Sequence, residues 1–250
     1  MSQQRMSLRE VENILEIRSK FTEHDLIEMD DRSFRTFGLQ LSQAQLWALN
    51  LKIEDAGSTL SELQDLAQCI IHRKHFVAQR VGPTRSPDKD VEKVGMHTAG
   101  VLYHWCIHSA MAHLLEVDDE HKNLLQELVL QLNFKDPFLD IIVFGETDEL
   151  DAKLGNWNPD GKKINMIQML HNLDLRSISD DELTNRILHY LKKDHRRFYA
   201  GTDLLRNGPE NSPFPLYAYQ AALMAKRRGL DYTIFESSPF WPTNLMKLLD

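Results

Sequence analysis

No apolar stretch in this sequence approaches the roughly 18 to 20 residues that a helical membrane span needs, and that excludes an integral membrane protein of the helical kind. The opening Met1-Ser2-Gln3-Gln4-Arg5 leads into a charged amphipathic stretch instead of the apolar core of a signal peptide, so a cytoplasmic location is expected. Cysteine is nearly missing. The two present, Cys69 and Cys106, fall inside helical patterns and read as small buried hydrophobes in a reducing compartment, which excludes a disulfide-stapled miniature fold. Basic charge is in deficit: 29 Lys and Arg against 37 Asp and Glu leave a formal net charge of -8, which argues against a nucleic-acid ligand or an anionic membrane surface. Glycine (11) and proline (9) are sparse for 250 residues, and strand-like alternation is almost absent.

What is present is a hydrophobic content of 42% with apolar residues recurring every three or four positions, the mark of an all-α protein able to bury a sizeable core. The spacing predicts a first helix from Leu8 to about Met29 and a second from about Leu39 to Asp55, closed by Gly57. A third is opened by the capping box Thr59 and Glu62 and runs towards Arg80. A polar, proline-bounded loop from Val81 to Asp90 precedes helices at about Asp90 to Glu116 and Asp118 to Leu132, and Asp136-Pro137 starts another. The non-periodic segment Gly145 to Lys163 places a boundary between two packed helical subdomains, residues 1-150 and 151-250. In the second, Ser179 and Glu182 open a helix to Tyr199, Pro215 to Arg228 forms another closed by Gly229, and Pro239 and Pro242 precede a short terminal one.

Motifs of nucleophilic, phosphate-binding and dinucleotide-binding sites are all absent. His97, His104 and His108 share a helix face and, with Glu116 or Asp118, could build a metal-dependent hydrolase. Trp105 follows His104 where the hydrolytic zinc motif has glutamate, so a structural hydrogen-bonding cluster is the expectation, with no metal, no cofactor and no enzymatic activity.

The net charge is concentrated. Residues 101 to 150 hold ten acids against two bases, an excess equal to that of the whole chain. Glu116, Asp118, Asp119 and Glu120 form one group, and Glu146, Asp148 and Glu149 another. Such runs commonly form only a solvated face, but a patch of one sign also steers a partner of the opposite sign.

From about residue 40 the chain resembles the immunity proteins of polymorphic nuclease toxins, the PoNi-like family. The similarity lies in Glu54-Asp55-Ala56-Gly57-Ser58-Thr59-Leu60-Ser61-Glu62-Leu63, in Tyr103 to Val117, and in Lys135-Asp136-Pro137-Phe138-Leu139-Asp140. It continues in Tyr217-Ala218-Tyr219-Gln220-Ala221-Ala222-Leu223, Gly229-Leu230-Asp231 and Pro239-Phe240-Trp241-Pro242-Thr243-Asn244-Leu245. Leu216, Gln220 and Asn244 stand where the family pattern has glycine, glutamate and aspartate. The resemblance implies an all-helical protein that binds and neutralises a cognate bacterial DNase, with a protein as partner and no nucleic acid or membrane. Glu116, Asp118, Asp119, Glu120, Glu146, Asp148 and Glu149 would then meet the basic cleft of the toxin.

Overall fold

A computed structural model describes residues 7-19, 28-55, 57-81, 107-132, 142, 178-195 and 215-250. Among them there are helices and turns and no strand, so the fold is all-α. Helix α1 spans Leu8–Ser19, α2 Asp31–Glu54 and α3 Leu60–Val81. Residues 107-114 belong to α4, and α5 is Asp119–Leu132. Helix α6, Asp180–His189, continues into a π-helical turn, Tyr190–Asp194. Helix α7 is Tyr219–Arg227, a 3-10 turn covers Tyr232–Phe235, and α8 is Thr243–Leu249.

Local chemistry sets most of these boundaries. Ser7 and Glu10 form a reciprocal capping box at α1, the Ser7 N–H donating to Glu10 Oε2 at 2.6 Å and the Glu10 N–H to Ser7 Oγ at 3.3 Å. Thr59 and Glu62 repeat it at α3, with the Thr59 N–H 2.8 Å from Glu62 Oε2. Helix α2 starts at Asp31, eight residues before the expected Leu39, because Asp30 caps it through the Ser33 N–H at 3.1 Å. The added turns carry Phe34, which packs edge-on to Phe76 of α3 at 5.6 Å while the Arg80 guanidinium lies over its ring at 4.3 Å. Ser179 caps α6 by accepting from the Glu182 N–H at 3.2 Å. That capping box is only half made, since the Glu182 carboxylate pairs with Arg186 at 3.4 Å instead.

Two helices end in the same left-handed device. At α7, Gly229 has φ +62°, the Gly229 N–H donates to Lys226 O and the Leu230 N–H to Ala225 O, as the sequence leads one to expect for a closing glycine. At α4 the residue in that position is Glu116, with φ +52°, and the Val117 N–H reaches back to Ala112 O. A non-glycine residue here carries backbone strain. Helix α7 begins at Tyr219 instead of Pro215: residues 215-218 form no regular element, and the Ala218 N–H bonds to Phe240 O at 2.8 Å.

Helix α2 forms a hairpin with α3, α1 and α8 lie against α2, and α5 lies against α3. The main core joins Leu49, Leu63, Ile70, Ile71, Met111, Leu114 and Leu115 to Leu183, Ile187, Tyr219, Phe235 and Trp241, all buried. Burying one such side chain contributes roughly 1.5–3 kcal/mol. Phe34 and Val77 make a second small cluster at the other end of the hairpin. Buried residues from both sides of position 150 therefore share one cluster, while the expected boundary segment itself lies outside the described residues. Polar ties follow the same route: Asn50 Nδ2 donates to Pro215 O at 2.7 Å, Tyr219 Oη to Asn50 Oδ1 at 2.5 Å, and Asn244 Nδ2 to Glu54 O at 2.9 Å. No helix among the described residues is long and apolar enough to cross a membrane.

Candidate functional site

The first acidic group sits on the turn between α4 and α5, and its four carboxylates have different tasks. Glu116, in its left-handed position, reaches Lys226 Nζ of α7 at 2.9 Å, and that hydrogen bond and charge hold its carboxyl below the usual range. Asp118 caps α5. Its Oδ1 accepts from the His121 N–H at 2.9 Å and lies 2.6 Å from His121 Nδ1, and its Oδ2 accepts from Gln68 Nε2 of α3 at 3.1 Å. The backbone bond, then the imidazole bond, hold this carboxyl below its ordinary value, so it is ionised at neutral pH. Asp119 pairs with Lys122 at 3.2 Å but is 93% exposed, and Glu120 is exposed beside it. Asp119 and Glu120 are thus the carboxylates most open to a partner. Acids at the start of a helix are also favoured by its dipole, so local structure and charge focusing coincide here. Glu146, Asp148 and Glu149 lie outside the described residues.

Beside this turn, a cavity of about 450 Å³ opens between α2, α3 and α5, lined by Gln45, Asp65, Gln68, Cys69, His72, Arg73 and His121. Cys69 is exposed on its wall, against the expectation of a buried hydrophobe, because the buried face of α3 is carried by Leu63, Ala67, Ile70 and Ile71. Cys106 lies outside the described residues.

Of the three aligned histidines, His97 and His104 lie outside the described residues, and His108 is buried at 2% exposure next to the equally buried Ser109. Among the described residues no group of His, Cys, Asp or Glu is arranged to hold a metal ion. His75 is taken up with Glu127 of α5 at 3.3 Å and Gln79 at 3.0 Å. Asp180, one of the paired aspartates at the start of α6, accepts from Arg228 Nη2 at 2.7 Å and Nε at 3.1 Å.

Sequence reasoning missed a buried polar chain at the end of α6. His195 is fully buried, its Nε2 lies 2.9 Å from Leu216 O and its Nδ1 3.0 Å from Tyr190 Oη, which in turn lies 2.5 Å from Gln220 Nε2. A carbonyl can only accept, so Nε2 carries the proton and Nδ1 accepts from the Tyr190 hydroxyl, whose oxygen takes the Gln220 N–H. The chain has one direction. Burial pushes the imidazole down to about 4 against the small opposing effect of the Leu216 carbonyl, which keeps it neutral. Its ring also packs edge-on to Phe240 at 4.8 Å and to Tyr190 at 5.4 Å. Gln220 is 2% exposed and so belongs to the interior; Asn244 uses an amide N–H that an aspartate would lack to close the end of α2.

No protein-family model and no curated protein matches the chain. A solved structure, protein PA2201 from Pseudomonas aeruginosa, is similar in fold with a TM-score of 0.58 at 17% identity, over 97% of this chain and 86% of that one. At such identity the likeness concerns the fold alone. It matches the arrangement of helices and says nothing of the acidic turn or the cavity.

Proposed function

We propose that this chain is an immunity protein that binds a cognate bacterial DNase toxin and occludes its basic cleft with an acidic surface. The reading is carried by one observation: Asp119 and Glu120 stand exposed at the start of α5, next to an ionised Asp118, on a turn pinned from two sides by Gln68 and Lys226. A pinned turn with exposed carboxylates lowers the ordering cost of binding and steers a cationic partner towards it. The family resemblance supplies the nature of that partner. Glu116 and Asp118 act in this reading as supports of the turn, and the carboxylates of Glu146, Asp148 and Glu149 extend the acidic segment along the sequence.

The test is co-expression with a nuclease-domain toxin encoded beside the gene, together with association kinetics for Asp119→Lys/Glu120→Lys. Slower association that becomes less sensitive to salt, with an unchanged circular dichroism spectrum, is the expected result. Protection and association both equal to the wild type would sink the proposed surface.

A further inference from the structure

The buried polar chain at the end of α6 has a second way of satisfying its bonds. The π-helical turn sets its spacing: the His195 backbone N–H closes on Tyr190 O, and the ring and hydroxyl are held 3.0 Å apart. His195 and Tyr190 belong to the end of α6 and Gln220 to the first turn of α7, and all three are buried. With the imidazole neutral, every proton points one way. The Gln220 amide donates to Tyr190 Oη, the hydroxyl to His195 Nδ1, and His195 Nε2 to Leu216 O. In that order Gln220 Oε1 is left over, a buried acceptor with no hydrogen-bond partner among the described residues.

The leftover atom makes the order reversible. An amide turned over about its last bond puts oxygen where nitrogen was, with no other heavy atom displaced. Oε1 then faces Tyr190 Oη across the 2.5 Å now spanned by the amide nitrogen, a separation that suits an O–H···O bond better than an N–H···O bond. The hydroxyl donates to Oε1, and its oxygen accepts from Nδ1. A proton on Nδ1 is thereby bonded, while Nε2 keeps Leu216 O. The amide nitrogen takes the place of the oxygen as the unpartnered atom, so the number of such atoms is unchanged.

Charge has little part in these surroundings. The titratable group that faces His195 is Tyr190, on its own element; Leu216 presents a carbonyl, α7 the uncharged Gln220 behind Tyr190, and Phe240 its ring. Lys192 and Lys193 of the π-helical turn are exposed. Burial, not a neighbouring charge, holds the imidazole down to about 4, so the second order belongs to acid conditions.

We propose that His195, Tyr190 and Gln220 form a reversible hydrogen-bond relay, in which the interior accepts one proton at His195 by reversing direction, the Gln220 amide being the part that turns. The device uses no residue of the acidic turn and stands whether or not that turn meets a nuclease.

The experiment is side-chain NMR of the full chain labelled with 15N histidine and glutamine. It is titrated from pH 7 to 3.5 in an osmolyte that favours the folded state, with His195→Gln and Gln220→Met identifying the two signals. At pH 7 the His195 proton should reside on Nε2. On acidification the His195 ring and the Gln220 amide should shift together with one midpoint near 4, while the other amide signals stay dispersed. Gln220→Met offers the Tyr190 hydroxyl no amide acceptor and should lower the His195 midpoint by about one pH unit, so that the protonated share at pH 4 falls roughly from a half to a tenth. Gln220→Glu supplies an acceptor without any turning and should raise the midpoint by about two units. A Gln220 amide that stays still while His195 titrates overturns the relay. So does a His195 midpoint equal to the wild type's in Gln220→Met or in a folded Gln220→Glu, and so does unfolding of the wild type before His195 takes its proton. If the glutamate variant does not fold, the wild type and Gln220→Met decide.

Discussion

Lowering the pH from 7 towards 4 should destabilise this protein through His195 before its carboxylates begin to matter. Burial holds the imidazole at about 4, whereas in the unfolded chain it returns to the ordinary value near 6.5. As the pH falls below 6.5 the unfolded chain therefore takes up a proton that the native protein refuses. Its contribution is fully present above 6.5, declines at about 1.4 kcal/mol per pH unit, and reaches about 3 kcal/mol of lost stability near pH 4. Protonation would also strip Nδ1 of the lone pair that accepts from Tyr190, so the Tyr190 hydroxyl would have to turn its proton away in a closed interior. The carboxylates with lowered values act in a lower window, losing their stabilising effect as the pH falls through 4.5 for Glu10, Glu62 and Glu116 and through 3.8 for Asp118 and Asp231, and on below. The assay is the urea midpoint at half-unit steps from pH 7.5 to 4, for the wild type and for His195→Gln. Glutamine keeps a donor for Leu216 and an acceptor for Tyr190 but does not titrate. The variant should be less stable at pH 7, having lost the ring contacts with Phe240 and Tyr190, yet its curve should be flatter by about 1.4 kcal/mol per pH unit between 6.5 and 4. Parallel curves for the two proteins would refute the reasoning.

Tyr190→Phe removes both the donor to His195 and the acceptor of Gln220, leaving two buried groups unpaired; a loss of about 2–4 kcal/mol in urea unfolding is expected. Gln220→Met, which removes a side chain whose buried Oε1 has no hydrogen-bond partner among the described residues, should cost clearly less by the same measurement. At the left-handed position of α4, Glu116→Gly relieves strain of about 1 kcal/mol and gives up a largely exposed ion pair, so it should leave thermal stability equal or slightly higher. Glu116→Ala, which keeps the strain and loses the pair, should lie about 1 kcal/mol below the glycine variant. Ser179→Ala removes the cap of α6 and should cost about 1 kcal/mol, read from the thermal midpoint.

The legible part of this fold is the local part. The Thr59 and Glu62 box, the Gly229 terminator and the terminal helix after Pro242 involve residues a few positions from one another, and the structure has them where the sequence leads one to expect. Asp30 as the cap of α2 was equally local, but the apolar periodicity drew the expected start to Leu39. The acidic turn was legible as charge and not as function. Spacing could not tell that Glu116 spends its carboxylate on Lys226, 110 positions away, or that Asp118 is shared between α5 and Gln68. The Tyr190–His195 pair had no sequence signal either. Residues five apart lie on different faces of an α-helix, and only the π-helical turn between them brings the ring and the hydroxyl together.

By itself, then, the sequence determined the helical class, the caps and the concentration of negative charge, because each depends on neighbours along the chain. Which carboxylates stay free, which cysteine meets solvent and which histidine is locked neutral in the interior were decided by tertiary packing. Exposure and partner choice depend on elements far apart in sequence, and helical periodicity carries no record of which of them will meet.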